Sequence, residues 1–216
     1  MVSGLIVLWV LAILTRRWVK FPAPAWLGHI LGSRVRGAVR PPGVLVKAAD
    51  LNTGHRILEV GCGSGPVLTA TADGVEDGFV CGVDISRGML LQARARMARD
   101  LLAPDSIAHH GLRSTVVLVQ AEADRLPFRE GCFDRVLMVA CLQEIRARHE
   151  ALLEVSRVLS ADGLLAVQEF LPDPDYPRLR TTRRDGERAG FVVERAVSRV
   201  TSHIAVFRRN VPVTLR

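Results

Sequence analysis

One stretch of the sequence, ILEVGCGSGPV at residues 57–67, constrains the fold more than any other. Apolar residues flank the carboxylate of Glu59 in a run typical of a buried strand, and glycines follow at alternate positions, Gly61, Gly63 and Gly65. Glycine permits a positive φ and lets the backbone approach a ligand with no Cβ between them. In a doubly wound sheet, ligands bind beyond the carboxyl ends of the strands. The stretch therefore predicts an α/β protein with a ligand at this turn.

Strand and helix patterns alternate along the rest of the chain. Strand patterns occur at 56–60, 78–84, 114–121, 132–142 and 163–170, and helical patterns at 65–75, 86–102, 147–159 and 178–189. Two further strand segments, at 191–200 and 203–209, predict a closing antiparallel pair. We therefore predict a doubly wound, mostly parallel seven-stranded sheet with an antiparallel C-terminal strand, preceded by an apolar and amphipathic helical arm.

The spacing of the glycines and the acids narrows the ligand. The order is G-x-G-x-G rather than the G-x-G-x-x-G of dinucleotide sites, and no Lys-Ser/Thr pair follows it, which excludes a Walker A loop. Glu59 would repel a pyrophosphate, whereas a carboxylate suits a cationic or amine-bearing ligand. Asp84 closes the second strand, where an acid accepts hydrogen bonds from ribose hydroxyls. A ligand with a ribose and a positive charge but no phosphate is expected, and S-adenosylmethionine fits.

Four segments in succession strengthen this interpretation. They are ILEVGCGSG, VCGVDISRGMLLQAR, AEADRLPFREGCFDRVLMV and RVLSADGLLAVQEF. Together they resemble the ordered motifs of class I S-adenosylmethionine-dependent methyltransferases, most closely the group that includes the ubiquinone/menaquinone C-methyltransferases. The resemblance covers residues 43 to 209 and implies the Rossmann-like fold of that class, methyl transfer as the activity, and S-adenosylmethionine as the cofactor.

The resemblance also implies a cofactor site, residue by residue. Gly61, Gly63 and Gly65 would line the methionine part of the cofactor, and Asp84 would contact its ribose. Glu122 and the backbone of Ala123 would meet the adenine, with the alternative that the alignment slips by two residues and places Asp124 in the position of Glu122. Residues 139–140 would flank the cofactor. The predicted cofactor-binding set is Glu59, Gly61, Cys62, Gly63, Gly65, Asp84, Ile85, Glu122, Ala123 and Val139.

The chain departs from the family pattern at two places, of which the first bears on the acceptor and the second on turn chemistry. Gln143 and Glu144 stand where relatives often have histidines, and Ala161-Asp162-Gly163 replaces Pro-Gly-Gly before the fifth strand. A base is needed only if the acceptor is a poor nucleophile. Among the carboxylates beyond strands four and five, Glu144 and Glu169 are the candidate catalytic residues, with the alternative that either is structural.

The basic charge of the chain, formally +7, lies in its first 56 residues, which hold eight Lys and Arg and one acid. The remainder carries equal numbers of basic and acidic side chains. An uncharged apolar run at residues 4–14 rises about 16 Å as a helix, half of a bilayer's hydrocarbon core, and cations follow it. Residues 25–40 form an amphipathic basic pattern, which could lie on a membrane or pack on the domain.

These features give three segments: an apolar membrane-associating segment at 1–20, a basic amphipathic helix or linker at 21–42, and a methyltransferase domain at 43–216. We expect attachment to an anionic membrane surface on the cytoplasmic side. The acceptor is expected to be a small lipophilic molecule, such as a quinone precursor. A nucleic-acid or protein methyltransferase and a non-catalytic cofactor-binding module remain the alternatives, although the neutral body disfavours a nucleic-acid partner.

The four cysteines have no metal-ligand or disulfide spacing, and no metal is expected. At least three of them should lie on or beside buried strands, as small apolar residues do.

Overall fold

The computed structural model describes residues 43–102 apart from Glu76, and residues 114–171 and 176–210. The predicted arm at 1–42, and with it the membrane segment and the amphipathic helix, lies outside the described residues. The helices and strands, in chain order, are α1 Gly43–Ala48, β1 Arg56–Val60, α2 Pro66–Gly74, β2 Phe79–Asp84, α3 Arg87–Leu102, β3 Thr115–Gln120, β4 Phe133–Val139, α4 Arg148–Val158, β5 Leu159–Phe170, α5 Leu179–Arg188, β6 Phe191–Arg199 and β7 Ser202–Arg209.

The strands form one seven-stranded sheet in the order β3-β2-β1-β4-β5-β7-β6. β1 pairs in parallel with both β2 and β4, so the strand order reverses at β1. β7 runs antiparallel to β5 and to β6. The predicted fold class, including the antiparallel closing pair, is confirmed, and the turn after β1 lies at the switch point of the sheet.

Both faces of the sheet are buried along its inner parallel strands, as such strands require, whereas the outer strands β3 and β6 are largely exposed. Alternate residues of each central strand point to opposite faces, so that Leu58 and Val60 belong to one apolar cluster and Ile57 to the other. The first cluster includes residues of α4, and the second includes residues of α1 and α2. This packing fixes the register of the strands, and with it the positions of the loops at their carboxyl ends.

Two strand boundaries differ from the prediction. β4 ends at Val139, three residues earlier than predicted, because Ala140 has a φ of +50° and leaves the extended conformation. β5 begins at Leu159, directly after α4, and not at residue 163. The early end of β4 matters for the site because it places residues 140–144 in a loop over the edge of the sheet.

Within the described residues, no helix combines the length and the apolar character that a membrane crossing needs.

Candidate functional site

The glycine loop after β1 is held against the end of β2. The backbone N–H groups of Gly61 and Cys62 both donate to the carbonyl oxygen of Val83, at 2.8 and 3.0 Å. Gly61 has a φ of +71°, and a Cβ on it would lie 2.6 Å from the Cβ of Cys141. Only glycine fits at this position, because a side chain would be strained by the backbone and would collide with the loop after β4.

Gly63 differs from its neighbours in the loop. It also has a positive φ, of +53°, but a Cβ built on it would meet no atom of the described residues within 4 Å. Packing within this part of the chain therefore does not require a glycine there. Open space over a backbone with positive φ leaves room for a ligand to contact the chain directly. Gly65, the residue before α2, packs closely against Ala93 of α3.

Glu59 is buried beneath this loop, with 2% of its surface exposed. Its Oε2 atom has no hydrogen-bond partner among the described residues. Burial, and then the nearby charge of Asp84, raise the pKa of Glu59 to about 8. A buried carboxyl group with an unused oxygen is costly unless a partner is present. A cationic ligand at the loop would supply that partner and favour the ionised form.

Asp84 connects the glycine loop to the start of α3. Its Oδ2 accepts a hydrogen bond from the N–H of Gly63 at 2.9 Å, and its Oδ1 accepts one from Ser86 at 2.8 Å. Burial raises the pKa of Asp84, while these two N–H donors lower it. Each carboxylate oxygen can accept a further bond, so the position predicted for ribose recognition keeps that capacity. Ser86 caps α3, since its Oγ accepts from the N–H of Met89 at 3.3 Å.

The loop after β4 closes the other side of the glycine turn. The N–H of Ala140 donates to the carbonyl of Gln168 on β5 at 2.8 Å, and the thiol of Cys141 donates to the carbonyl of Val60 at 3.1 Å. Ala140 follows Val139, which the sequence placed beside the cofactor. A positive φ in a residue other than glycine is uncommon and often marks a functional loop.

Cys141 shows that carboxylates cluster around this turn. Burial, followed by the charges of Glu169, Glu144, Glu59 and Asp84, raises the pKa of its thiol well above the usual range. Sequence reasoning assigned Cys141 only to packing and missed its place between the glycine loop and the acids. Three free cysteines lie on or beside strands β1, β2 and β4 as predicted, and Cys132 directly precedes β4. The cluster of carboxylates around the glycine turn is suited to a ligand with positive charge.

The residues predicted to meet the adenine lie at the next edge of the sheet. Ile85 follows β2 with 47% of its surface exposed, and its carbonyl accepts from Nε2 of Gln120 at 3.0 Å. Glu122 is exposed in the turn after β3, and Ala123 is half-buried. The structure therefore brings Ile85 and the turn at 122–124 to one edge, while the choice between Glu122 and Asp124 as the polar contact stays open.

The two predicted catalytic acids differ in their surroundings. Glu169, near the end of β5, has 1% of its surface exposed, whereas Glu144 is half-buried in the loop after β4. Beside Glu144, Gln143 accepts a hydrogen bond from Arg148, which also lies 3.6 Å from Asp185 of α5. Gln143 therefore ties the loop to α4 and α5. After burial, the charges of Glu169 and Glu144 raise the pKa of the Cys141 thiol, which places both acids near the glycine turn.

Comparison with known proteins places this geometry in a family. Residues 58–167, about half of the chain, match the model of the family described as "Methyltransferase domain". The chain belongs to that family. The prediction of a class I S-adenosylmethionine-dependent methyltransferase is confirmed, and S-adenosylmethionine is the cofactor of this class.

Individual relatives of this chain are also named as methyltransferases. A malonyl-[acyl-carrier protein] O-methyltransferase from Geobacter sulfurreducens is 33% identical over 129 residues, which cover 60% of this chain and 43% of the relative. A ubiquinone/menaquinone biosynthesis C-methyltransferase from Vibrio parahaemolyticus is 34% identical over 126 residues, covering 58% and 45%. The chain spans less than half the length of these relatives.

Among solved structures, a SAM-dependent methyltransferase from Aquifex aeolicus aligns with a TM-score of 0.74 at 20% identity, over 86% of this chain and 98% of that one. This likeness concerns the fold.

The residues present fit S-adenosylmethionine. The unpartnered Oε2 of Glu59 and the nearby carboxylates match its positive charges, and the open space over Gly63 leaves the backbone accessible. The roles of the individual residues in holding it stay predictions.

Proposed function

We propose that this protein transfers a methyl group from S-adenosylmethionine to a small, lipophilic acceptor at a membrane surface. The observation that carries the proposal is the buried carboxyl of Glu59 beneath a glycine loop at the switch point of the sheet, whose Oε2 has no hydrogen-bond partner among the described residues. A structural protein would gain nothing from this costly group. A cationic ligand at the loop explains it, and family membership supports that assignment.

The bound cofactor supplies an electrophilic methyl group, so the protein needs no covalent nucleophile of its own. Glu59 and Asp84 would hold the positive end of the cofactor and its ribose, and the N–H of Gly63 is kept in place by Asp84. The loop at 140–144 would cover the reacting atoms and limit the access of water to them. Positioning of this kind accounts for a large part of such a rate enhancement.

On the acceptor side, Glu144 or Glu169 serves as a base or as a hydrogen-bond partner. Both lie close enough to Cys141 to raise the pKa of its thiol; Glu144 follows β4, which borders β1, and Glu169 lies near the end of β5, which borders β4. A carboxylate within hydrogen-bond reach of the acceptor can take its proton in the transition state. We assign the acceptor-facing role to this pair because no other described carboxylate contributes to Cys141 from the β4 and β5 side.

A lipophilic acceptor is supported by two observations. The part of the sequence that forms the sheet carries no surplus of positive charge with which to hold a polyanion. One relative is named for ubiquinone/menaquinone biosynthesis, although another is named for a malonyl-[acyl-carrier protein]. The apolar run at 4–14, with the cations after it, gives a means of membrane attachment on the cytoplasmic side.

Transfer of tritium from methyl-labelled S-adenosylmethionine tests the function. The full-length protein is incubated with anionic vesicles that contain a reduced alkyl-naphthoquinone, and in parallel with a malonyl thioester, with RNA and with a protein extract. We expect label in the organic extract from the vesicles. Label only in the thioester, RNA or protein would overturn the lipophilic acceptor, and no label anywhere would leave a cofactor-binding module.

Variants of the two acids refine the test. Glu144→Gln and Glu169→Gln should lower turnover while leaving the affinity for S-adenosylhomocysteine nearly unchanged, because the lost interaction is made with the acceptor. Asp162→Asn, at an exposed acid at the start of the buried part of β5, is the matched control. A loss of cofactor affinity as large as the loss of turnover in the Gln variants would contradict the assignment of these acids to the acceptor side.

A further inference from the structure

A buried histidine that the site described above does not use lies at the same edge of the sheet. His203, the second residue of β7, has 1% of its surface exposed. Its Nε2 lies 2.9 Å from the hydroxyl oxygen of Thr182 on α5. Its Nδ1 lies 3.4 Å from the phenolic oxygen of Tyr176, and the two rings pack with centroids 5.6 Å apart. Both ring nitrogens therefore face a hydroxyl group.

The position of this cluster follows from the antiparallel pairing of β7. His203 is the register partner of Glu169, so it lies where β5 reaches its carboxyl end. The neighbouring strand β4 ends at the same edge, and the N–H of Leu171 fastens β5 to the turn before β7 through the carbonyl of Thr201, at 2.9 Å. Adjacent strands are about 4.8 Å apart. The cluster is thus next to the predicted acceptor side and about three strands from the glycine loop.

The protonation state of His203 suits it to accept a proton. Burial lowers the pKa of its imidazole, so the ring is neutral near pH 7. With the ring proton on Nε2 and donated to Thr182, the lone pair of Nδ1 faces the hydroxyl of Tyr176. The 3.4 Å separation is long for a hydrogen bond, but contacts of this kind often tighten when a substrate binds.

Tyr176 connects the buried ring to accessible space. It is only half-buried, whereas His203 and Thr182 are fully buried. A hydroxyl can donate and accept at once, so the phenol can take a proton from one side while passing its own to the other. The hydroxyl of Thr182 can likewise exchange donor and acceptor roles when the ring changes tautomer.

We propose that Tyr176 contacts the nucleophilic hydroxyl or carbon acid of the methyl acceptor, that His203 accepts the proton of its phenol, and that Thr182 is a positioning residue for the imidazole. This inference rests on the proposed methyl transfer. One proton must leave the acceptor for each methyl group that it gains. That proton passes to the phenolic oxygen of Tyr176 as the phenol's own proton passes to Nδ1 of His203. After the product has left, the imidazolium returns the proton to the phenolic oxygen, and the half-buried phenol of Tyr176 releases a proton to water.

The sequence offers a direct probe, because Tyr176 is its single tyrosine. The ultraviolet absorbance of tyrosinate in the full-length protein therefore reports Tyr176 alone, with circular dichroism to confirm that the fold persists through the titration. When the ring changes tautomer and Thr182 donates to Nε2, the imidazole can stabilise the phenolate through a proton on Nδ1. His203→Phe should therefore raise the pH midpoint of the absorbance by about one unit, and Thr182→Val by a smaller amount.

Thr181→Val is the matched control, since Thr181 is the neighbouring residue of the same helix and has no recorded bond to His203. Its midpoint should stay at the wild-type value. A midpoint that does not move in His203→Phe, or that moves equally in Thr181→Val, overturns the proposed coupling. If His203→Phe does not fold, Thr182→Val alone decides, because valine matches threonine in shape.

Methyl transfer to the quinone-vesicle probe supplies the second measurement. Tyr176→Phe keeps the ring and should lower kcat about 100-fold, at the lower end of the range of acid–base catalysis, with unchanged affinity for S-adenosylhomocysteine. Full activity in Tyr176→Phe overturns the inference while the proposed function stands. Absence of transfer by the wild-type protein to every probe overturns the function instead, and the titration still decides whether the three residues are coupled.

Discussion

Burial, and then the charge of Asp84 at the end of the neighbouring parallel strand, raise the pKa of Glu59. Glu59 pairs in register with Gly82, and Asp84 stands two residues further on, at the end of the same strand. Asp84 accepts hydrogen bonds from two backbone N–H groups, but these bonds do not remove the repulsion between its charge and that of Glu59. Two carboxyl groups are therefore held close together, and a cation bound between them would relieve their repulsion.

The first prediction concerns the pH dependence of stability. The pKa of Glu59 is raised from 4.5 to about 8, so the unfolded chain ionises more readily than the folded one. The free energy of unfolding of the cofactor-free protein should therefore fall as the pH rises from 4.5 to about 8. Glu59→Gln removes this group and should be more stable than the wild type at pH 8 by about 1–3 kcal/mol.

Denaturant unfolding at pH 5 and pH 8 measures the effect, with Asp162→Asn as a control at an exposed acid. A Glu59→Gln variant that is less stable at pH 8 would show that the carboxylate already has a stabilising partner.

The second prediction separates ligand space from packing in the glycine loop. Gly63→Ala should cost only about 1 kcal/mol of stability, from its positive φ, but should greatly weaken binding of S-adenosylhomocysteine, since the Cβ enters the open space over the loop. Gly54→Ala is the matched control, because Gly54 also has a positive φ and open space but lies before β1.

Gly61→Ala should instead affect stability more than cofactor binding. Its Cβ would collide with Cys141, so unfolding free energy should fall by about 2–4 kcal/mol. Calorimetric titration and thermal melting of the three variants make the comparison. Equal binding by Gly63→Ala and Gly54→Ala would place the ligand elsewhere.

The third prediction is that Asp84→Ala weakens cofactor binding by about 1.5–3 kcal/mol, as for hydrogen bonds to a charged group. Asp84→Asn should lose less, because its amide oxygen can still accept the N–H of Gly63. Calorimetry with S-adenosylhomocysteine on folded variants measures both, and an unchanged affinity in Asp84→Ala would refute the ribose assignment.

Sequence reasoning located the glycine loop, Glu59 and Asp84 because their spacing follows from one strand–turn–helix unit and the strand after it. It did not locate Cys141 or the cluster of His203, Tyr176 and Thr182. Those contacts depend on which strands are neighbours and on the register of the antiparallel β7, and neither leaves a local pattern in the sequence. The early end of β4 was missed for a similar reason, since alanine carries no signal for a positive φ.

The fourth prediction concerns the membrane. Full-length protein should sediment with anionic vesicles at low salt, and salt should weaken only the electrostatic part of the attraction. Deletion of residues 1–20 should reduce sedimentation and raise KM for a vesicle-borne acceptor, but not for a water-soluble analogue. Retention of full-length protein in the supernatant would contradict membrane attachment.

The central claim is that the carboxylates at the glycine loop hold S-adenosylmethionine, and calorimetric titration at pH 7 in two buffers of different ionisation enthalpy tests it most directly. Glu59 is largely protonated in the free protein at this pH and should ionise against the bound cation. We predict saturable binding with release of close to one proton, no competition by NAD, and loss of the proton release in Glu59→Gln. Binding with no difference between the buffers, or displacement by NAD, would contradict the account.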